Sequence, residues 1–432
     1  MLSWDKTPAL SPMRCARAWI EIDLTALAHN VSQLRALLPQ ETDLMSVVKA
    51  DAYGHGAVAV AKVALQSGAT WLGVATVPEG IELRQNGIRA PILVMGAVNE
   101  PVEVRAMVRW QLQPTIVSLK QALMFSKTLA AYYGDNDDRD EATLPVHLKL
   151  DTGMSRLGYN WQQPIELAQF IQQLAHLEAV SLYSHFATAD SPDTTVMNLQ
   201  HARFQTAIAA LRSADLLPPR LHIANSAATL ADRCLHYDMV RVGLATYGLY
   251  PAPHLKSKIS LRPALSVKAK ITHINHIEAG AGVSYDHKFV APKAMTIAVV
   301  GIGYADGVPR VLSNRIWVSI AGKHVRQLGA ITMDQLMLDV SDIPAVRVGD
   351  VVTLLGPAMG SAESKTASTT EAFTEELSVD HWAELAGTIS WEILCGFKHR
   401  LPRTTAGGTS AKVQANQIAG TSDNHELVLD YL

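Results

Sequence analysis

The sequence predicts an α/β protein in two parts: an N-terminal (β/α)8 TIM-type barrel over residues 17–262 and a C-terminal, mostly β domain over 263–403. Three observations carry this. Short β-rich runs alternate with longer helical segments between 17 and 243, as a parallel sheet with crossover helices requires. Eight such units fit the roughly 250 residues that a barrel of this kind occupies. From Ala264 onward, strand-like runs follow one another without helices between them, the pattern of a separate β domain. A doubly wound open sheet stays open as the alternative for the first part, because periodicity does not distinguish it from a closed barrel.

The first run, Trp19 to Ile22, leads into a helix capped by Asp23 or Thr25, with Leu24, Leu27, Val31, Leu34 and Leu38 at helical spacing. Further runs at 45–48, 71–75, 92–95, 115–117, 146–150, 179–183, 221–223 and 239–242 bring the count to nine, one more than the barrel needs. Helices are expected at 58–66, 77–86, 119–131, 165–175 and 202–213. Two stretches, 133–141 and 357–377, are polar and read as solvated insertions. The small, polar tail 404–432 is expected to be mobile.

Composition narrows the function. Of 432 residues 48% are hydrophobic and 18% charged, with 37 basic against 40 acidic side chains, which disfavours both disorder and nucleic-acid binding. Cys15, Cys234 and Cys395 lie far apart and include no C-x-x-C pair, so neither a disulfide framework nor a cysteine zinc site is expected. The 16 histidines include no H-E-x-x-H, and no metal is predicted. Asp5, Lys6, Arg14 and Arg17 interrupt any signal-peptide core, and no run of about 18 apolar residues suggests a membrane span. A cytoplasmic protein is the expectation.

Several reactive side chains follow the predicted barrel strands: Lys49, Lys149 with Asp151, His185, Asn225 with Ser226, and Arg241. In a barrel these would converge on the rim that carries active sites; the plain alternative is that strands turn polar as they leave the core. Lys49, in VVKADAYGHG, stands beside apolar surroundings that favour a neutral, nucleophilic amine able to form a Schiff base. A lysine snorkelling from a strand end is the competing reading. Tyr53 could offer its hydroxyl to an anion, and the junctions NSAATL and RVGLATYG present backbone N–H groups where many barrels bind phosphate. GIGYADG has the wrong spacing for a dinucleotide fingerprint and is followed by Pro309.

Eight motifs, in order over about residues 17–403, resemble those of the alanine racemases. They are VVKADAYGHG, KLDTGMSRLG, SHFATAD, ANSAATL, RVGLATYGLYP, GVSYDHKF, GIGYADG and MDQLMLDV. The resemblance implies a barrel followed by a β domain, pyridoxal 5′-phosphate as cofactor, a homodimer, and interconversion of L- and D-alanine by two-base proton transfer. That activity would supply D-alanine for cell-wall peptidoglycan or serve alanine catabolism; a broader-specificity amino-acid racemase is the alternative. By this resemblance Lys49 carries the cofactor and is one base, and Tyr285 is the other, reaching into the partner subunit's barrel. Tyr53, Asn225, Ser226 and the backbone at Gly243 and Leu244 fall at the phosphate site; Arg241 faces the ring nitrogen and His185 lies against the ring. Arg156 and Met333 match substrate-carboxylate positions, Lys149 a lysine carbamylated in several members, and Tyr304 and Asp334 the substrate entrance. One position departs: a tyrosine common three residues before the last proline is here His399, in CGFKHRLPR.

Overall fold

The computed structural model describes residues 16–134, 143–356 and 377–406. The first strand, β1 (Ala18–Asp23), ends in the predicted cap: the Asp23 carboxylate accepts the N–H groups of Thr25 and Ala26 and opens the helix Leu24–Leu37. Then come β2 (Asp43–Val47), β3 (Trp71–Val74), β4 (Ile92–Ala97), β5 (Gln113–Ile116), β6 (Leu144–Asp151), the two-residue β7 (Tyr159–Asn160), β8 (Leu177–Tyr183), β9 (Arg220–His222) and β10 (Met239–Val242). Eight of these pair in parallel in the order β10-β2-β3-β4-β5-β6-β8-β9, with β7 beside β6. The Asp238 N–H donates to the Leu221 carbonyl and the Arg241 N–H to the Ala224 carbonyl, joining the two end strands and closing the barrel. β3 and β10 are buried at every residue, as expected of strands covered on both faces.

β1 is the spare ninth strand, and it lies outside the barrel sheet. It pairs antiparallel with β11 (Leu265–Ile277), Ala18 opposite Ala269, and parallel with β19 (Arg403–Ala406), Ile20 opposite Arg403. The reason is visible in its pattern: Ala18, Ile20 and Ile22 are buried while Trp19 and Glu21 are only half-buried, the alternation of a strand with one wet face. β19 also corrects the expectation of a mobile tail from 404: Thr404 to Ala406 continue a strand that covers the open edge of β1. Residues 407–432 lie outside the described residues, as do 135–142 and 357–376, which hold most of the two expected insertions.

The second domain adds β12 (Gly282–Val283), β13 (Phe289–Val290), β14 (Met295–Val300), β15 (Trp317–Ile320), β16 (Lys323–Leu328), β17 (Leu336–Asp339) and β18 (Val351–Leu355). The 13-residue β11 pairs with β1 and β18 along its first half and with β14 along its second. Through β14-β17-β16-β15-β18 the antiparallel sheet returns to β11 and closes on itself. Two short helices, Val379–Ala386 and Ser390–Gly396, follow where none was expected; the Ser/Thr-rich stretch before them masks the Ser378 cap that starts the first.

GIGYADG has a structural role. Asp306 is fully buried; both its oxygens accept from the Arg17 guanidinium, at 2.8 and 2.9 Å, and one also accepts the Gly303 N–H. Arg400 lies 3.5 Å from Asp306 and donates to Asp334 at 2.6 Å, tying the start of the chain to the loops that carry Tyr304 and Met333.

Candidate active site

A cavity of about 690 Å³ opens where the barrel strands end. Lys49, Tyr53, Lys149, Arg156, His185, Asn225, Ser226, Arg241, Gly243 and Leu244 all line it. Tyr285, Met333, Tyr304 and Asp334 do not. Tyr285 is 67% exposed, Met333 53% and Tyr304 40%, and backbone and side-chain hydrogen bonds join the loops next to them. The Ser284 hydroxyl donates to the Ala330 carbonyl, and the Tyr304 and Ala305 N–H groups donate to the Thr332 and Met333 carbonyls. Asp334 is engaged by Arg400. His399 is exposed and outside the cavity; Trp391 and Cys395 of the same segment line it instead.

After β2 the chain takes an uncommon course. Ala50, Asp51, Ala52 and Tyr53 have φ of 51–55° and ψ of 39–50°, one turn of left-handed helix. Each non-glycine residue there costs about 1–2 kcal/mol, so the turn has to be held from outside. The Ala50 N–H donates to the Glu79 carboxylate at 2.7 Å, the Ala57 N–H to Asp51 at 2.7 Å, and His55 Nδ1 to the carbonyls of Ala52 and Tyr53. Arg403 donates to the Gly54 carbonyl. The turn brings Lys49 and Tyr53 to the same rim. Burial, helped by Arg156, pushes the Lys49 pKa down, and Glu79 opposes this.

Facing them is a cradle of hydrogen-bond donors. Ser226 Oγ accepts the N–H groups of Gly243 and Ala245 at 3.1 and 3.4 Å, leaving its own proton for another acceptor. Asn225 caps the short helix behind it through the Ala228 N–H. A Cβ on Gly243 would sit 2.6 Å from the Tyr53 hydroxyl oxygen, so only glycine lets that hydroxyl reach the cradle.

Arg241 anchors the floor. It is buried without a facing carboxylate among the described residues, and burial lowers its pKa to about 10. It donates to the Ser184 carbonyl at 2.8 Å, to His185 Nδ1 at 3.1 Å and to His222 Nδ1 at 2.9 Å. Arginine only donates, so both imidazoles accept at Nδ1, and the polarity of a whole chain follows. His222 Nε2 donates to Ser181 Oγ (3.1 Å), Ser181 to His147 Nδ1 (2.5 Å), and His147 Nε2 to Gln113 Oε1 (2.8 Å). All three histidines are kept neutral: burial pushes His147 to about 3 and His185 and His222 well below the usual range. Tyr183 stacks on His222 at 4.7 Å and lies against Arg241 and Lys149.

His222, His147, Ser181 and Gln113 are not among the candidates that follow the barrel strands in sequence. A signal was present: Gln113 and Thr115, His147 and Lys149, and Ser181 and Tyr183 each recur at a spacing of two on barrel strands, the mark of side chains that share one face. Lys149 is buried, and burial followed by Arg241 and Arg156 lowers its pKa to about 7. Among the described residues neither the Lys149 nor the Arg156 side chain makes a hydrogen bond or ion pair, although Lys149 lies over the Tyr183 ring.

Fold and site together define a barrel protein whose cavity sets a lysine of lowered pKa beside a cluster of hydrogen-bonding groups, followed by a β domain. Comparison with known proteins makes this specific. The pattern of the alanine racemase N-terminal domain matches residues 22–251 and that of the C-terminal domain 264–405. An alanine racemase from Nostoc sp. is 59% identical over 387 residues, covering 90% of this chain and 95% of the relative; one from Synechocystis sp. is 55% identical, covering 90% and 98%. The solved alanine racemase of Streptomyces lavendulae superposes with a TM-score of 0.81 at 34% identity, covering 94% and 99%. The chain belongs to the alanine racemase family: it is an isomerase that interconverts L- and D-alanine.

Proposed function

We propose that the protein carries out this reaction with pyridoxal 5′-phosphate on Lys49 and with two bases supplied by different subunits of a homodimer. One observation carries the reading: Lys49 and the hydrogen-bonding cradle lie in the barrel cavity, whereas Tyr285 and Met333 stand exposed and outside its lining. Each chain then holds two halves that only a second copy completes. The solved Bacillus anthracis alanine racemase, 34% identical with a TM-score of 0.79, is described with bound L-Ala-P.

The residues fit the cofactor. Ser226, Tyr53 and the N–H of Leu244 would receive the phosphate, in a cradle that a Cβ on Gly243 would fill. Arg241 would donate to the ring nitrogen, and His185 would lie against the ring. When bound, the cofactor supplies an electron sink that makes the α-proton of alanine removable. Lys49 takes or returns the proton on one side of Cα and Tyr285 on the other, since inversion is most simply reached with a base on each face. Arg156 and Met333 orient the substrate carboxylate. Lys149, whose pKa of about 7 leaves a substantial neutral fraction at neutral pH, is open to carbamylation and would then face Arg156 as an anion. Tyr304 and Asp334 border the entrance. Because each base can take the proton from one enantiomer and return it when the reaction runs the other way, one site serves both D-alanine supply for peptidoglycan and its breakdown. Among the described residues no helix is long and apolar enough to cross a membrane; the reading is of a cytoplasmic enzyme.

The test is chemical. Protein loaded with pyridoxal phosphate should be yellow, and borohydride followed by peptide mapping should place the label on Lys49; a label elsewhere, or none, overturns the reading. Gly243→Ala should weaken cofactor binding by about tenfold by displacing the Tyr53 hydroxyl, the order expected for one hydrogen bond to a charged group. An absorbance titration with the cofactor measures this.

A further inference from the structure

Glu79 belongs to none of the motifs that define the site. It stands in the first turn of the helix Val77–Gln85, and its two oxygens have separate duties. Oε2 accepts the N–H groups of Ala75 and Thr76 at 2.7 and 3.1 Å, the reciprocal half of a capping box. Oε1 accepts the Ala50 N–H at 2.7 Å, from the residue that follows Lys49. The first contact is what a helix start requires, and glutamine supplies it as well. The second serves no helix: it reaches across from β3 to the left-handed turn after β2.

That turn holds four successive non-glycine residues in a region each of them disfavours. Its later part is fixed by Asp51, His55 and Arg403. Its first residue is fixed by Glu79. We infer that Glu79 is a positioning residue, setting the Lys49 amine in register with the Tyr53 hydroxyl so that one molecule is gripped at both ends. It also places a negative charge near an amine that burial and Arg156 drive toward neutrality. This rests on Lys49 being the cofactor lysine.

The experiment compares Glu79→Gln and Glu79→Ala with wild type. In Glu79→Gln the single carbonyl oxygen faces the two donors at Ala75 and Thr76, keeping the helix start, while the bond to Ala50 is lost. The expected result is a melting temperature close to wild type, a pyridoxal phosphate dissociation constant about tenfold higher, and a kcat reduced with KM for alanine little changed. Apoprotein is also labelled at Lys49 with pyridoxal, which lacks the phosphate, and borohydride; the pH midpoint of labelling should fall in Glu79→Gln, because the lost charge had favoured the ammonium form. Wild-type cofactor affinity and an unmoved midpoint in Glu79→Gln overturn the inference. So does a melting temperature that falls as far in Glu79→Gln as in Glu79→Ala, which marks a helix cap alone. Absence of label on wild-type Lys49 instead removes the cofactor reading and this inference with it.

Discussion

Lys49→Ala and Tyr285→Phe proteins, each almost inactive alone, should recover about a quarter of the wild-type racemase rate when co-expressed and allowed to form mixed dimers. On the proposed two-base mechanism each substitution removes one proton-transfer group, a loss of about 10²–10⁴-fold. In a mixed dimer one site combines Lys49 from one chain with Tyr285 from its partner, while the other site lacks both. Random pairing makes about half of the dimers mixed, and each has one working site of two. Tyr285 is 67% exposed in the single chain, and removing a surface hydroxyl alters stability little, so lost activity is not lost fold. In deuterated water the Tyr285→Phe homodimer should still exchange the α-proton of one alanine enantiomer without inverting it. Full inversion by that variant, or no recovery in dimers shown to be mixed, rejects the two-subunit site.

Arg241→Glu should raise half-transamination relative to racemisation by an order of magnitude or more, read from the loss of active enzyme during turnover. Guanidinium has a pKa above about 12 in water and only donates. Even with burial lowering it to about 10, it would leave the ring nitrogen of the proposed cofactor unprotonated and the electron sink weak, favouring return of the proton to Cα. A carboxylic acid at that place can share a proton with the nitrogen and strengthen the sink. The interior can accept the change because every link from His222 to Gln113 reverses. His222 Nδ1 then donates to the glutamate, Ser181 and His147 exchange roles, and the Gln113 amide turns over to present its NH₂. Unchanged partitioning in a folded variant contradicts this account.

How far the sequence reveals this arrangement depends on whether a residue's partners are near it in the chain. The eight barrel strands, the cap at Asp23 and the gathering of Lys49, Ser226 and Arg241 at one rim follow from local pattern, because strand ends in a barrel share one face. The left-handed turn does not follow. Ala50 to Tyr53 contain no glycine, and their conformation is imposed by Glu79, His55 and Arg403, the last some 350 residues away. His222 and His147 look like ordinary core histidines until the strands bring them into line. Composition obscures the helices after Leu377, and the count of nine runs does not say which strand is the spare, although the alternation in Trp19-Ile20-Glu21-Ile22 marks β1 as a strand with one wet face.

The position of β1 has a consequence for biosynthesis. Both neighbours of Ala18–Asp23 belong to the far end of the chain, Leu265–Ala269 on one side and Arg403–Ala406 on the other. At ~5–20 residues per second the ribosome needs roughly 10–50 s to reach the first of them, and during that time an apolar strand waits with two open edges, a ready template for misassociation. Glu21 on its outer face is the kind of charge that guards such a segment. A strand made long before both its neighbours is among the last to be sealed.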